Sequence, residues 1–135
     1  MTKEFWINLP VKDITKSRDF FVNIGFKLNP GPGNTEHSAC IFIGSKNIVL
    51  MLFSEPTFQS FTEHEITDTK KSTEVLFSFD AESRLEVDEM AVRVEKAGGK
   101  VFSAPNESQG WLYGFGFADL DGHRWNVLFM DVKKN

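Results

Sequence analysis

Asp13-Ile14-Thr15-Lys16-Ser17-Arg18-Asp19-Phe20-Phe21-Val22-Asn23-Ile24-Gly25-Phe26 is the stretch that decides the fold. Asp13 stands where a helix N-cap belongs, because its carboxylate can accept the free N–H groups of a first turn. Ile14, Phe21 and Ile24 share one helical face, and Gly25 stops the helix where a left-handed backbone is tolerated. The second half of the chain repeats this. Ser83-Arg84-Leu85-Glu86 matches a capping box, Val87, Met90, Ala91, Val94 and Ala97 recur at helical spacing, and Gly98-Gly99 ends the run.

Strand patterns flank both helices. Phe5 to Val11 precedes the first and Phe26 to Asn29 follows it; Glu74 to Phe79 precedes the second and Lys100 to Ser103 follows it. A loop comes next in each half, Pro30-Gly31-Pro32-Gly33 and Ala104 to Gly110. Each loop leads to a hairpin. One joins Ala39–Ile43 to Asn47–Phe53, and the other joins Leu112–Ala118 to Arg124–Met130 across Asp119-Leu120-Asp121-Gly122-His123. The expected fold is α+β: two tandem βαβββ modules forming curved mixed sheets around a cleft, with helices on the outside. A single domain over 1–135 is expected, with module one at about 4–54, a linker at about 55–72 and module two at about 73–131. The linker is polar and is read as a connector holding a short helix with Phe58 and Phe61, or as a lid over a pocket.

Composition narrows the function classes. The chain has 135 residues, enough to bury a core without staples. Fifteen Lys+Arg against 19 Asp+Glu give a net charge of −4, with no basic stripe, so nucleic acid is not an expected partner. No stretch approaches the ~20 apolar residues of a membrane span, and Met1 to Asn8 does not read as a signal peptide. The single cysteine, Cys40, fits a reducing compartment, so a cytoplasmic protein without a membrane partner is expected. Fourteen Phe against one Tyr require a large core, a lined cavity or a buried subunit interface.

Asn8-Leu9-Pro10-Val11-Lys12-Asp13, the helix ends Ile24-Gly25-Phe26 and Ala97-Gly98-Gly99, and Asp119-Leu120-Asp121-Gly122-His123 before an apolar strand resemble the vicinal oxygen chelate superfamily. That superfamily includes glyoxalase I, bleomycin resistance proteins and extradiol dioxygenases. The resemblance spans Phe5 to Met130 and looks closest to small bacterial predicted lactoylglutathione lyases. It implies the duplicated fold and a homodimer. It does not select one activity, because the superfamily hosts many.

The resemblance also implies a divalent metal held by four side chains, usually His or Glu, from four strands. The matching positions here are Trp6, Met51, Glu74 and Asn126. An indole offers no lone pair, a thioether is soft and an amide is neutral, so one carboxylate would be left to hold a hard cation. No metal or other cofactor is therefore expected. His37, His64 and His123 are scattered over loops and turns, and His123 reads as an exposed turn residue.

By the same comparison Trp6, Asn8, Met51, Glu74, Leu76, Asn126 and Leu128 line the cleft, giving an apolar, aromatic surface with one acid and two amides. Trp111, Tyr113 and Phe115 are candidate ligand-binding residues on one face of their strand, either the cleft face or the helix-covered face. Glu74, if buried among Trp6, Met51 and Leu76, would have a raised pKa and could act as a base. Otherwise it is a strand-end carboxylate in water or paired with Lys70 or Lys71. The leading expectation is a metal-independent binder of a small aromatic or amphipathic molecule. The alternatives are a glyoxalase-like lyase or dioxygenase-like enzyme using a metal or Glu74, and a dimeric interaction domain.

Overall fold

The computed structural model describes residues Met1–Asp131. The element order is β1 (Trp6–Val11), α1 (Ile14–Asn23), β2 (Lys27–Leu28), β3 (Ser38–Ile43), β4 (Ile48–Ser54), α2 (Glu55–Thr62), β5 (Leu76–Asp80), α3 (Arg84–Lys96), β6 (Lys100–Ser108), β7 (Leu112–Ala118) and β8 (Arg124–Met130). Two mixed four-stranded sheets result, ordered β1-β4-β3-β2 and β5-β8-β7-β6. In each, the strand before the long helix runs parallel to the last strand, and the other pairings are antiparallel. The chain divides into two compact units, Met1–Asp68 and Thr69 onward. Each is one βαβββ module, as the duplicated sequence pattern implies.

The local signals work as read. Asp13 accepts the Lys16 N–H at 3.0 Å, and Ser83 accepts the Glu86 N–H at 3.0 Å. The two helices also close alike. The Phe26 N–H reaches Phe21 O at 3.0 Å and the Gly99 N–H reaches Val94 O at 2.9 Å. Gly25 (φ 115°) and Gly98 (φ 103°) take the left-handed geometry that this closure needs.

In the first unit Leu9, Val11, Ile41, Leu50 and Leu52 bury on one face of the sheet, and Phe20, Phe21 and Ile24 of the α1 segment are buried with them. In the second unit Phe117, Trp125 and Val127 bury on the sheet, and Val87, Ala91 and Val94 on α3. Alternation turns the remaining residues of each sheet to the opposite face, which in the first unit α2 reaches through Phe61 on Phe53.

Two boundaries differ from the sequence reading. β6 continues to Ser108, through residues expected to be a loop. It is an edge strand with register shifts between Val101 and Ser103 and between Ser103 and Asn106. Pro105 lies inside the second irregularity, where its missing N–H removes no ladder bond. β5 starts at Leu76 rather than at Glu74. Its partner strand begins at Arg124, opposite Leu76, so nothing in β8 faces the residues before it. The expected linker opens with a real helix, α2, begun with Pro56 in its first turn and closed by Glu63 at φ 57°. Phe61 from that helix meets Phe53 of β4 edge-on at 5.1 Å.

Candidate functional site

Strand register assigns each candidate to a face. In the first sheet the Trp6–Val49–Phe42, Asn8–Met51–Cys40 and Pro10–Phe53–Ser38 rows lie across β1, β4 and β3. These rows alternate with the buried Leu9, Leu50 and Ile41 positions, so they form the face away from α1. Trp6, Asn8 and Met51 therefore share a face, as expected. Trp6 is 53% exposed. Most polar groups here are already used within the unit. Ser38 Oγ donates to Gly33 O at 2.8 Å, and the Cys40 thiol accepts from Asn29 Nδ2 at 3.2 Å. The Asn8 amide makes no side-chain hydrogen bond among the described residues.

In the second sheet the open-face rows are Leu76–Arg124–Ala118, Ser78–Asn126–Gly116–Ser103 and Asp80–Leu128–Gly114–Asn106. Leu76, Asn126 and Leu128 thus share a face, again as expected. Between β6, β7 and β8 that face dips into a shallow depression of about 140 Å³, whose lining includes Ser103, Asn106, Gly114, Gly116, Asn126 and Leu128. The glycines of β7 make the dip possible. A Cβ on Gly116 would lie 2.6 Å from the Phe102 ring, and one on Gly114 would lie 2.7 Å from Leu128 Cδ2. Both neighbours lean across bare backbone, the close approach that glycine in a strand permits.

Two candidates leave this set, and a third, Phe115, borders the depression although its ring stacks on the other face. Tyr113 and Phe115 occupy alternate positions with Phe117, on the helix-covered face. The Tyr113 hydroxyl donates to Asp88 of α3 at 2.6 Å, and the Phe115 ring stacks on Phe117 at 5.8 Å. The bond to Asp88, with burial second, raises the Tyr113 phenol above its ordinary pKa. Strand alternation alone left both faces open; the partner helix decides it. Trp111 is half-buried ahead of β7 and does not line the depression.

Glu74 is a further correction. It precedes β5 and is exposed, so the apolar enclosure that would make it a base is absent. His123 is corrected in the other direction. Its side chain is only 10% exposed and bonds through Nδ1 to Asp119 Oδ2 at 2.9 Å. The buried Asp119 carboxylate also accepts from the Asp121 and His123 backbone N–H groups and from Trp125 Nε1 at 3.1 Å. The turn is thus a closed polar network under the second sheet. Gly122, at φ 86°, completes it.

The sequence reading missed Arg124 and Phe102. The Arg124 guanidinium lies 4.3 Å over the Phe102 ring, and its Nε is buried without a hydrogen-bond partner. Alternation along Arg124-Trp125-Asn126 already put Arg124 beside Asn126, so this residue was findable. Phe102 was not, because the irregular β6 register sets which way it turns.

A family model described as the Glyoxalase/Bleomycin resistance protein/Dioxygenase superfamily matches residues 5–127. The chain belongs to that superfamily. Among solved structures, hypothetical protein SA1046 from S. aureus is 35% identical over 95% of this chain and 94% of that one, with a TM-score of 0.83. A glyoxalase-related enzyme from Fulvimarina pelagi is 18% identical over 98% of this chain and 91% of that one, with a TM-score of 0.81. FosX, a fosfomycin resistance protein from Listeria monocytogenes complexed with Mn(II) and sulfate, is 18% identical over 99% of this chain and 94% of that one, with a TM-score of 0.70. No curated protein matches the chain.

The superfamily implies a divalent metal, and the residues present do not fit one. Trp6, Met51 and Asn126 face outward from their sheets with an indole, a thioether and an amide. Glu74 is an isolated exposed carboxylate. Hard divalent ions select carboxylate and imidazole donors in a closed or half-closed shell. Among the described residues, no group of three or more His, Cys, Asp or Glu side chains is gathered closely enough to hold an ion.

Proposed function

We propose that this superfamily member is a metal-independent binder of a small aromatic or amphipathic molecule. The observation that carries the reading is the donor set at the superfamily's metal positions, where Trp6, Met51 and Asn126 replace hard ligands. Those side chains suit an organic ligand instead. Trp6, Met51, Leu76 and Leu128 offer apolar surface on the open sheet faces, and the amides of Asn8 and Asn126 make no hydrogen bond among the described residues. Pockets of this kind gain affinity from apolar burial and orientation from a few polar groups.

The exposed Phe5, Trp6, Leu76 and Met130 support a further part of the proposal, that the protein works as a homodimer. Light scattering at two concentrations tests that part. The buried free thiol of Cys40 supports a reducing, cytoplasmic setting. A thermal-shift panel of small aromatic acids, amides and alcohols tests the binding reading. A saturable rise in melting temperature is expected, since a ligand of the folded state stabilises it. Metal-dependent turnover of a hemithioacetal or a catechol by the same preparation would overturn it.

A further inference from the structure

We propose that Arg124 is the charged half of the ligand site and that the ligand is a small organic monoanion, a carboxylate joined to an apolar body. This deepens the binding reading above and rests on it.

Arg124 has no ion-pair partner among the described residues. Arg18 and Arg84 do have one: Arg18 binds Asp19 at 3.1 Å and Arg84 binds Glu107 at 3.0 Å. Arg124 instead lies over the Phe102 ring at 4.3 Å, with Nε buried and without a hydrogen-bond partner among the described residues. A guanidinium half out of water with an orphan N–H is costly unless a partner arrives. Stacking on Phe102 also restrains the group, so less freedom is lost when it binds.

Its neighbours on the same face are hydrogen-bonding groups whose side chains have no partner among the described residues. Asn126 is two residues along β8, Ser78 is paired with Asn126 on β5, and Ser103 lies beyond Gly116 on β6. None of these three side chains makes a hydrogen bond among the described residues. Leu76, paired with Arg124, is 52% exposed, and Leu128 lies on the other side of Asn126. The face thus presents one fork-shaped cation, an amide and two hydroxyls, flanked by apolar side chains.

The charge count selects the anion. One guanidinium matches one carboxylate, whose two oxygens fit its paired N–H groups. A phosphate dianion would keep an unmatched charge on a face that also carries Asp80, in a chain of net charge −4. The carboxylate would sit on Arg124 with its second oxygen toward Asn126, and its apolar body would lie over Leu128 and the glycines of β7.

The test titrates benzoate, benzamide and inorganic phosphate into wild type, Arg124→Gln and Arg124→Lys, with affinity read by calorimetry. Benzoate is expected to bind wild type more tightly than benzamide or phosphate. Arg124→Gln should weaken benzoate roughly tenfold or more, the range for a lost hydrogen bond to a charged group, and leave benzamide unchanged. Arg124→Lys should fall between, because it keeps the charge and loses the fork. Equal binding of benzoate and benzamide, or equal benzoate binding by wild type and Arg124→Gln, would overturn the inference and leave the binding reading standing. Tighter phosphate than benzoate would overturn the carboxylate assignment. No binding by any of the three, together with a silent thermal-shift panel, would sink both. Should Arg124→Gln not fold, amide and guanidinium NMR shifts of wild type decide. Benzoate must move Arg124 Nε and Asn126 Nδ2 and benzamide must not; unmoved signals with benzoate would overturn the inference.

Discussion

The two units share one topology but divide it differently between faces. On the helix side, the first unit puts its bulk on the helix, with Phe20 and Phe21 set against Leu9, Leu50 and Leu52. The second unit reverses this. Phe77, Phe117 and Trp125 crowd the sheet, with Phe77 and Trp125 rings 4.9 Å apart, and α3 answers with Val87, Ala91 and Val94. Either division fills the space, because a core asks for total volume and pattern rather than a fixed owner of each ring. On the open side the contrast is chemical. The first sheet carries Trp6, Met51 and Phe53, with its Ser38 and Cys40 groups already bonded. The second carries Arg124, Asn126 and Ser78, whose side chains make no hydrogen bond among the described residues. A duplicated fold keeps the packing that holds each half together and lets the other face diverge in its chemistry.

That contrast can be broken at the core first. Trp125→Ala should cost about 3–5 kcal/mol, the usual range for a buried large aromatic, because it deletes rings packed on Phe77 and Phe117 and frees Asp119 from Nε1. Phe21→Ala in the first unit should cost a similar amount, measured by denaturant unfolding. If only one of the two changes matters, the equivalence of the two cores is wrong. Asp119→Ala comes next, at about 2–3 kcal/mol, because it strands buried donors. It leaves Trp125 Nε1 and two backbone N–H groups without their acceptor.

Smaller changes sharpen the open-face comparison. Gly116→Ala should cost roughly 1–2 kcal/mol, as overpacking does. Its methyl would displace the Phe102 ring, a movable neighbour, and so unseat Arg124. A weaker benzoate response with most stability retained is the expected outcome. The smallest effect concerns Tyr113, the only tyrosine in the chain. Its phenol is held above the ordinary value first by the bond to Asp88. The contribution of that bond is complete below about pH 10, the unfolded tyrosine value, and is lost as pH rises through the higher folded value. Asp88→Asn should bring the ultraviolet titration of the phenol down; an unchanged curve would remove Asp88 from its role on the helix side.

Much of the fold was legible because its signals are local. Asp13, Ser83, Gly25 and Gly98 mark helix ends through groups within one turn, and hydrophobic alternation marks the hairpins. The end of β5 and the length of β6 were not legible, since each depends on which residue stands opposite in a distant strand. Pro105 read as a loop until the irregular register gave it a harmless place. The site was legible in half. Alternation put Trp6 and Asn8 on one face, and the family comparison added Met51, Leu76, Asn126 and Leu128, all of which lie on the open faces. Tyr113 and Phe115 could be sorted only by seeing α3, and the weight placed on Glu74 needed an enclosure that the strand start does not provide. Arg124 was visible in the alternation but carried no meaning until its missing partner was seen.

Metal content tests the central claim most directly. The protein is purified without chelator, dialysed against Zn²⁺, Ni²⁺, Mn²⁺ and Fe²⁺ in turn, and analysed for bound ion and melting temperature. The donor set at Trp6, Met51, Glu74 and Asn126 predicts less than stoichiometric ion and an unchanged melting temperature for each. One tightly held ion per chain, lost in Glu74→Ala and Asn126→Ala, would contradict it.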